Sequence, residues 1–341
     1  MKKKLVVVLL ALTLALSSLV LFGCANEFEF VEIAGKEEYK LARVNTTAQE
    51  VVIPSSYNGL PVTAIGPSAF KDNKSITRVT VPSSVKTLGD KIFSGCFSLK
   101  SVVLPEGITI IPTRTFEKCV ALTQVNVPNS VKMISNYAFS NCKNLESIVI
   151  PEGVTEIRER AFSDCSKLES VSIPDSLEVL GTRVFEADDK LETATSNGVK
   201  YVGNENNPYV IALSLTASSE TVTLESGCRV VSFMMFYGNS TVKQINLPQG
   251  LKSLGYCAIY NCSKLNSLAL PSTIKSLDER SISNLPSLSG DLILPASLET
   301  VGNNAIYSCP VSIKCEATAK PSGWDDTWNA HNRPVTWGYT A

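Results

Sequence analysis

Proline recurs along this chain at a constant interval, and that interval constrains the fold more than any other feature. Pro82, Pro105, Pro128, Pro151 and Pro174 stand 23 residues apart, and Pro248, Pro271 and Pro295 resume the phase at spacings of 23 and 24. Pro54 opens the series with five extra residues in its repeat. Self-similarity at this period marks a solenoid, in which one short coil cannot bury its own apolar face and neighbouring coils supply the missing walls.

The unit is legible between Leu122 and Cys142. Leu122, Val125 and Val127 predict a short strand, and Pro128 ends it because proline has no N–H to continue a ladder. Val131 and Ile134 mark a second apolar segment, Ala138-Phe139 predict a tight helical or 3₁₀ turn, and Cys142 closes the coil. Eleven residues after each proline comes a large apolar side chain: Phe93, Phe116, Phe139, Phe162 and Phe185, then Ile259, Ile282 and Ile306. Phe70 joins this column once its insertion is counted. A column of this kind is core, and stacked phenylalanines would add about 0.5–1.5 kcal/mol per pair beyond area burial.

The same phase runs through the irregular stretch after Phe185. Glu225 aligns with the proline position, which puts Phe236 on the aromatic column and gives ten coils in all. At about 4.8 Å per stacked strand, ten coils span on the order of 48 Å. Asn197-Gly198, Val199–Val202, an Asn-rich turn and Pro208–Ile211 predict a β-hairpin-like insertion. The expected organisation is a leader over 1–23, an anchor and cap over 24–50, repeats over 51–185, the insertion over 186–222, repeats over 223–315 and a Trp-rich cap over 316–341.

Taken together, Cys142, Leu145, Ile148, Ile150, Pro151, Val154, Ile157, Ala161 and Phe162 form a pattern that resembles the BspA-type leucine-rich repeats. The opening Val52-Ile53-Pro54 with Asn58–Thr63, and the closing Pro321–Trp324 with Trp328, look like the first repeat and terminal segment of such proteins. The resemblance implies a mostly β solenoid in a surface or secreted protein. Some members of the family act as adhesins for host matrix or other cells.

At the N-terminus, Lys2, Lys3 and Lys4 precede an apolar run from Leu5 to Phe22, which has the form of an export signal. Leu21-Phe22-Gly23-Cys24 resembles the lipobox of bacterial lipoproteins, which implies that Cys24 carries the lipid and becomes the new N-terminus. Membrane contact is then expected through acyl chains, each buried CH₂ contributing about 0.8 kcal/mol. The chain holds 31 basic and 32 acidic residues, so without the three leader lysines the acidic excess is four. Nucleic acid is thereby excluded as an expected partner, since phosphate binding needs a concentrated basic face.

The cysteines Cys96, Cys119, Cys142 and Cys165 share the 23-residue phase, with Cys262 and Cys309 beside them and Asn73 and Asn239 substituting. Points in a line at strand spacing cannot surround a tetrahedral metal ion, and parallel Cβ vectors disfavour disulfides, so buried free thiols are expected. Cys228 falls on a core position, whereas Cys257 and Cys315 are expected to be more accessible, and a Cys309–Cys315 pair is an open alternative. His331 is the only histidine, which removes most triads and every multi-histidine metal site. Asp188, Asp189 and Asn204–Asn207 lack calcium-loop spacing and are expected to form solvated turns. No cofactor, metal or catalytic residue is expected.

Strand alternation leaves two positions of each first strand pointing outwards. These are Arg78 and Thr80, Ser101 and Val103, Gln124 and Asn126, Ser147 and Val149, Ser170 and Ser172, Gln244 and Asn246, then Ser267 and Ala269. They predict a long, small-polar sheet surface, the candidate binding face for a protein or glycan ligand. Trp324, Trp328 and Trp337 admit two readings, a cap on the last coil or an aromatic platform for sugars. The function expected is a monomeric, non-catalytic, lipid-anchored surface adhesin or recognition scaffold. The alternative is an envelope structural protein binding partners of the same cell.

Overall fold

The computed structural model describes residues 27–330 and 333–340. The leader, Cys24 and His331 lie outside the described residues. Within them the chain is a β-solenoid of about 13 turns with no helix. The turns beyond the ten counted from proline come from segments that lack the proline signature. Ser312–Cys315 stacks in parallel on Asp291–Leu294, and Val335–Trp337 stacks on it in turn.

Each regular coil has three sides. The first is the strand before the proline, as in Arg78–Thr80, Ser101–Val103, Ser147–Val149 and Ser170–Ser172, which pair in parallel with partners one period on, such as Ser147 with Ser170. The second is a two-residue strand after the proline, as in Ile110–Ile111, Met133–Ile134, Glu156–Ile157 and Val179–Leu180, which form one parallel sheet. The inward residue of each, Ile111, Ile134, Ile157 and Leu180, is buried.

The third side departs from expectation. In place of a helical or 3₁₀ turn, the segment around Phe139 alternates left-handed residues with ordinary ones. Tyr137 has φ 57° and Asn141 φ 62°, and the same positions in other coils repeat the conformation, for example Arg114 and Lys118. That alternation turns every second N–H towards the next coil. Tyr137, Phe139 and Asn141 donate to Glu159, Ala161 and Ser163 carbonyls at 2.9, 2.7 and 2.8 Å. A helix would have satisfied these groups within the coil and left this side of neighbouring coils unjoined. Each left-handed non-glycine residue costs about 1–2 kcal/mol, offset by a ladder bond and by stacking on the aromatic column. The rings of Phe93, Phe116, Phe139 and Phe162 stack at centroid distances of 5.4, 5.1 and 5.1 Å.

Two ends and one interruption complete the molecule. Phe28–Glu32 pairs antiparallel with Tyr39–Val44, which lies parallel to Leu60–Ile65 and covers the first coil. The insertion is a three-stranded meander: Ala194–Ser196, Val199–Val202 and Ile211–Leu215, its first turn made by Asn197 and Gly198 at φ 50° and 74°. The last of these strands starts a new second-side sheet with Val230–Val231, Ser253–Leu254, Ser276–Leu277 and Thr300–Val301. The interruption divides the buried apolar residues into two clusters, one centred on each block of repeats. Among the described residues no helix is long and apolar enough to cross a membrane.

Candidate ligand-binding cleft

The outward residues of the first-side strands lie where alternation places them. Arg78, Val103, Gln124, Asn126, Ser147, Val149 and Gln244 are exposed, and Thr80, Ser101, Ser170, Ser172 and Asn246 are half-buried. Several are already committed to the fold. Asn126 folds its amide back on the preceding coil, accepting from Leu104 N–H at 2.9 Å and donating to Leu104 C=O at 2.8 Å, and the ladder breaks there. Gln244 donates to Asn246, which donates to Thr223, both at 2.8 Å. The face is small and polar with three exposed valines, Val52 at 70%, Val149 at 69% and Val103 at 47%.

The cysteine line is a structural device. All nine described cysteines are free and buried. Cys96, Cys119, Cys142, Cys165 and Cys262 each turn Sγ towards the carbonyl of the phenylalanine one coil back, at 3.0 to 3.2 Å. Asn73 and Asn239 stand in for cysteine by accepting two backbone N–H groups each. Burial pushes the Cys96, Cys228, Cys262 and Cys315 thiols up to about 12, which favours the neutral thiol over the thiolate. The expected accessibility of Cys257 and Cys315 is overturned: they are 3% and 0% exposed, Cys257 because it lies on the third side and is joined to the next coil through the Glu279 carbonyl, Cys315 because Val335–Trp337 stacks over its strand. Cys309 and Cys315 do not pair.

Trp324 and Trp328 are 4% and 5% exposed and pack edge to face against each other at 4.9 Å, with Trp337 against both. Trp324 Nε1 donates to the Leu298 carbonyl at 3.2 Å. No open ring face is left on Trp324 or Trp328, and Trp337 is half-buried; the three rings lie at the apolar end of the last coils. The acidic and amide turn residues also serve the fold. Asp188 accepts from Cys165 N–H at 2.7 Å, and Asn204 accepts from the N–H groups of Asn206 and Asn207.

A concavity lies elsewhere, between the two blocks. The second-side sheets face one another across a cleft of about 620 Å³. One wall is Glu156, Arg158 and the strand Val179–Leu180; the other is Ser253–Leu254, Ser276–Leu277 and Thr300–Val301. Lys275 reaches across, its Nζ 2.8 Å from Glu178 Oε1 and 3.7 Å from Glu299 Oε1. Arg158 pairs with Glu156 on the same wall. Burial raises the Asp278 carboxyl, against the lowering effects of the Glu279 N–H and the Arg158 charge. Ser276 accepts from Thr300 at 2.8 Å, while the Ser253 hydroxyl, 4% exposed, has no partner among the described residues.

Gly181 belongs to this cleft because backbones approach too closely for a side chain: a Cβ there would lie 2.3 Å from Glu159 N. No local pattern announces the cleft, since its walls come from blocks nearly a hundred residues apart. The one trace in the sequence is the lapse of the proline phase between Pro174 and Pro248, where the array bends.

The model of the BspA-type leucine-rich repeat region matches residues 63–193 and 212–319 in six copies. The chain belongs to the BspA-type leucine-rich repeat family. This BspA-type chain is similar in fold to a leucine-rich repeat protein of Bacteroides ovatus, with 23% identity over 91% of this chain and 98% of that one and a TM-score of 0.49. A leucine-rich cell surface protein of Faecalibacterium prausnitzii is 20% identical over 93% and 97% of the two chains, at a TM-score of 0.44. A leucine-rich repeat protein of T. pallidum is 28% identical over 49% of this chain and 89% of that one, also at 0.44. No curated protein matches this BspA-type chain.

Proposed function

We propose that the chain is a non-catalytic recognition scaffold displayed at the bacterial cell surface, lipid-anchored through Cys24 and acting as an adhesin. The observation that carries this reading is the first-side face. Coil after coil presents small, solvated side chains, in register within each of three runs of paired strands, which suits many weak contacts summed over a long surface. Family membership and a fold shared with a protein described as a cell surface protein support the location. The cysteines, held as buried neutral thiols, are spent on carbonyls of the array and not on chemistry.

The test is capture by residues 25–341 from host matrix proteins, immobilised glycans and envelope extracts of the producing cell. It is run beside a variant carrying Gln124→Glu, Ser147→Glu and Gln244→Glu. The adhesin reading expects a host protein or glycan that the variant loses. Capture of envelope partners alone would replace it with the structural role, and partners retained by the variant would remove the first-side face as the site.

A further inference from the structure

The break between the two blocks leaves edges of the array with their hydrogen-bonding groups unused. In the last regular coils of the first block, third-side N–H groups donate forwards: Arg160 to Thr182, Phe162 to Val184 and Asp164 to Glu186, at 2.9, 3.0 and 2.8 Å. The corresponding N–H groups of Arg183, Phe185 and Ala187 meet no acceptor among the described residues, since the meander and not a coil follows them. Across the gap, Met234, Phe236 and Gly238 donate forwards in the same way, and the carbonyls that a preceding coil would reach, on Phe233, Met235 and Tyr237, accept nothing there. The second side repeats the situation. Thr155 and Ile157 carbonyls accept from Glu178 and Gly181, whereas the Glu178 and Leu180 carbonyls are left at the edge of their sheet.

Space accompanies these open edges. A cavity of about 240 Å³ lies against Val184, Phe185, Leu213 and Phe233 and shares Leu180 and Gly181 with the larger cleft. The exposed Arg183 guanidinium lies 5.6 Å from the Phe233 ring, across this smaller cavity. The two ends differ in character. In the cleft Glu156, Glu178, Asp278, Glu299 and Asp325 outnumber Arg158 and Lys275, while the smaller cavity is mostly apolar.

We propose that an extended peptide segment of a partner protein docks in this gap as a surrogate coil, with lysine or arginine in the cleft and an apolar side chain against Phe185 and Phe233. Donors on one edge and acceptors on the facing edge, repeated at every second residue, are the pattern an extended backbone satisfies with its own amides. A sugar chain has no such alternation. The carboxylate excess selects the cationic side chains, and the Lys275 ammonium held between Glu178 and Glu299 shows that this wall accepts such a group. The inference rests on the recognition-scaffold reading but uses a different surface from the first-side face.

The test uses the full chain and a synthetic peptide of about ten residues, alternating lysine and valine at one end and ending in phenylalanine and valine. Two control peptides replace lysine by glutamate or N-methylate alternate amides. Titration calorimetry should find the parent binding, the glutamate peptide about tenfold or more weaker, and the N-methylated peptide lost. Hydrogen exchange should show Arg183, Phe185 and Ala187 amides becoming protected on binding. Glu299→Lys should weaken the parent by about tenfold with an unchanged unfolding midpoint. No binding by the parent, equal binding by the N-methylated peptide, or no protection over 183–187 would each overturn the proposal. The Gln124→Glu, Ser147→Glu, Gln244→Glu variant should bind the peptide like the parent chain, so loss of its surface partners would not be mistaken for failure of the gap.

Discussion

At the scale of single residues, the column that closes each coil holds the sharpest expectation. Asp188 occupies the position taken by Cys165 one coil earlier and by Asn73 and Asn239 elsewhere. Burial raises its carboxyl from 3.8 to about 7, against the lowering effect of the Cys165 N–H, and its second oxygen is buried without a partner. An acid with a raised folded pKa holds more protons folded than unfolded between about 4 and 7, so its contribution to stability falls as pH rises through that window. Asp188→Asn keeps the acceptor and removes the charge. Its unfolding temperature should exceed the parent's at pH 8 and match it near pH 4; a variant that melts lower at pH 8 would refute the assignment. Phe139→Ala tests the neighbouring column. With Phe116 and Phe162 stacked on either side, the loss should be about 3–5 kcal/mol in denaturant unfolding, the range for a buried aromatic whose cavity cannot collapse. A cost below 1 kcal/mol would mean that the ring column is packing of convenience and not the spine of the array.

Within each block elements behave as nearest-neighbour units, because apart from the contacts across the cleft a coil packs on the coil before and the coil after. Trp328→Ala should therefore act locally. Opening the cap should abolish hydrogen-exchange protection over Ala305–Trp328 while leaving Phe93–Phe162 protected, and uniform loss across both blocks would show that the array melts as one unit. Period and column made these coils legible before any coordinates: the proline stop, the Phe and Cys positions and the parallel register all follow from one repeat. The third side was misread because Ala138-Phe139 has helical composition, while its conformation is decided by hydrogen bonds to residues 22 positions later, from Phe139 to Ala161. Cys257 is buried for the same reason, since it lies on this third side and bonds to Glu279 one coil on, whereas Cys315 is covered by a strand without the proline signature. The meander was legible as a hairpin from Asn197-Gly198, yet its third strand, Ile211–Leu215, could not be known to found a new sheet.

The whole molecule adds what no repeat contains, the angle between its two blocks. Lys275 and Glu178, 97 residues apart, are the ion pair that spans the cleft, with Glu299 as a second partner of the lysine. Both side chains of the shorter contact are about a third exposed, at 33% and 31%, so its worth is that of a surface pair, about 1 kcal/mol or less. That is too little to decide whether the chain folds. It is enough to shift a balance between two arrangements of the blocks by about fivefold, provided that they are otherwise near equal in free energy. Salt should weaken the same contact, since the screening length falls from about 8 Å at physiological ionic strength to about 3 Å at 1 M. Lys275→Ala and 1 M sodium chloride should therefore each enlarge the radius of gyration seen by small-angle scattering, with unfolding midpoint nearly constant, and salt should add nothing to the variant. If neither changes the radius, the angle is set by the packing of the meander against Val230 and Phe233, and the bridge is a consequence of the bend and not its cause.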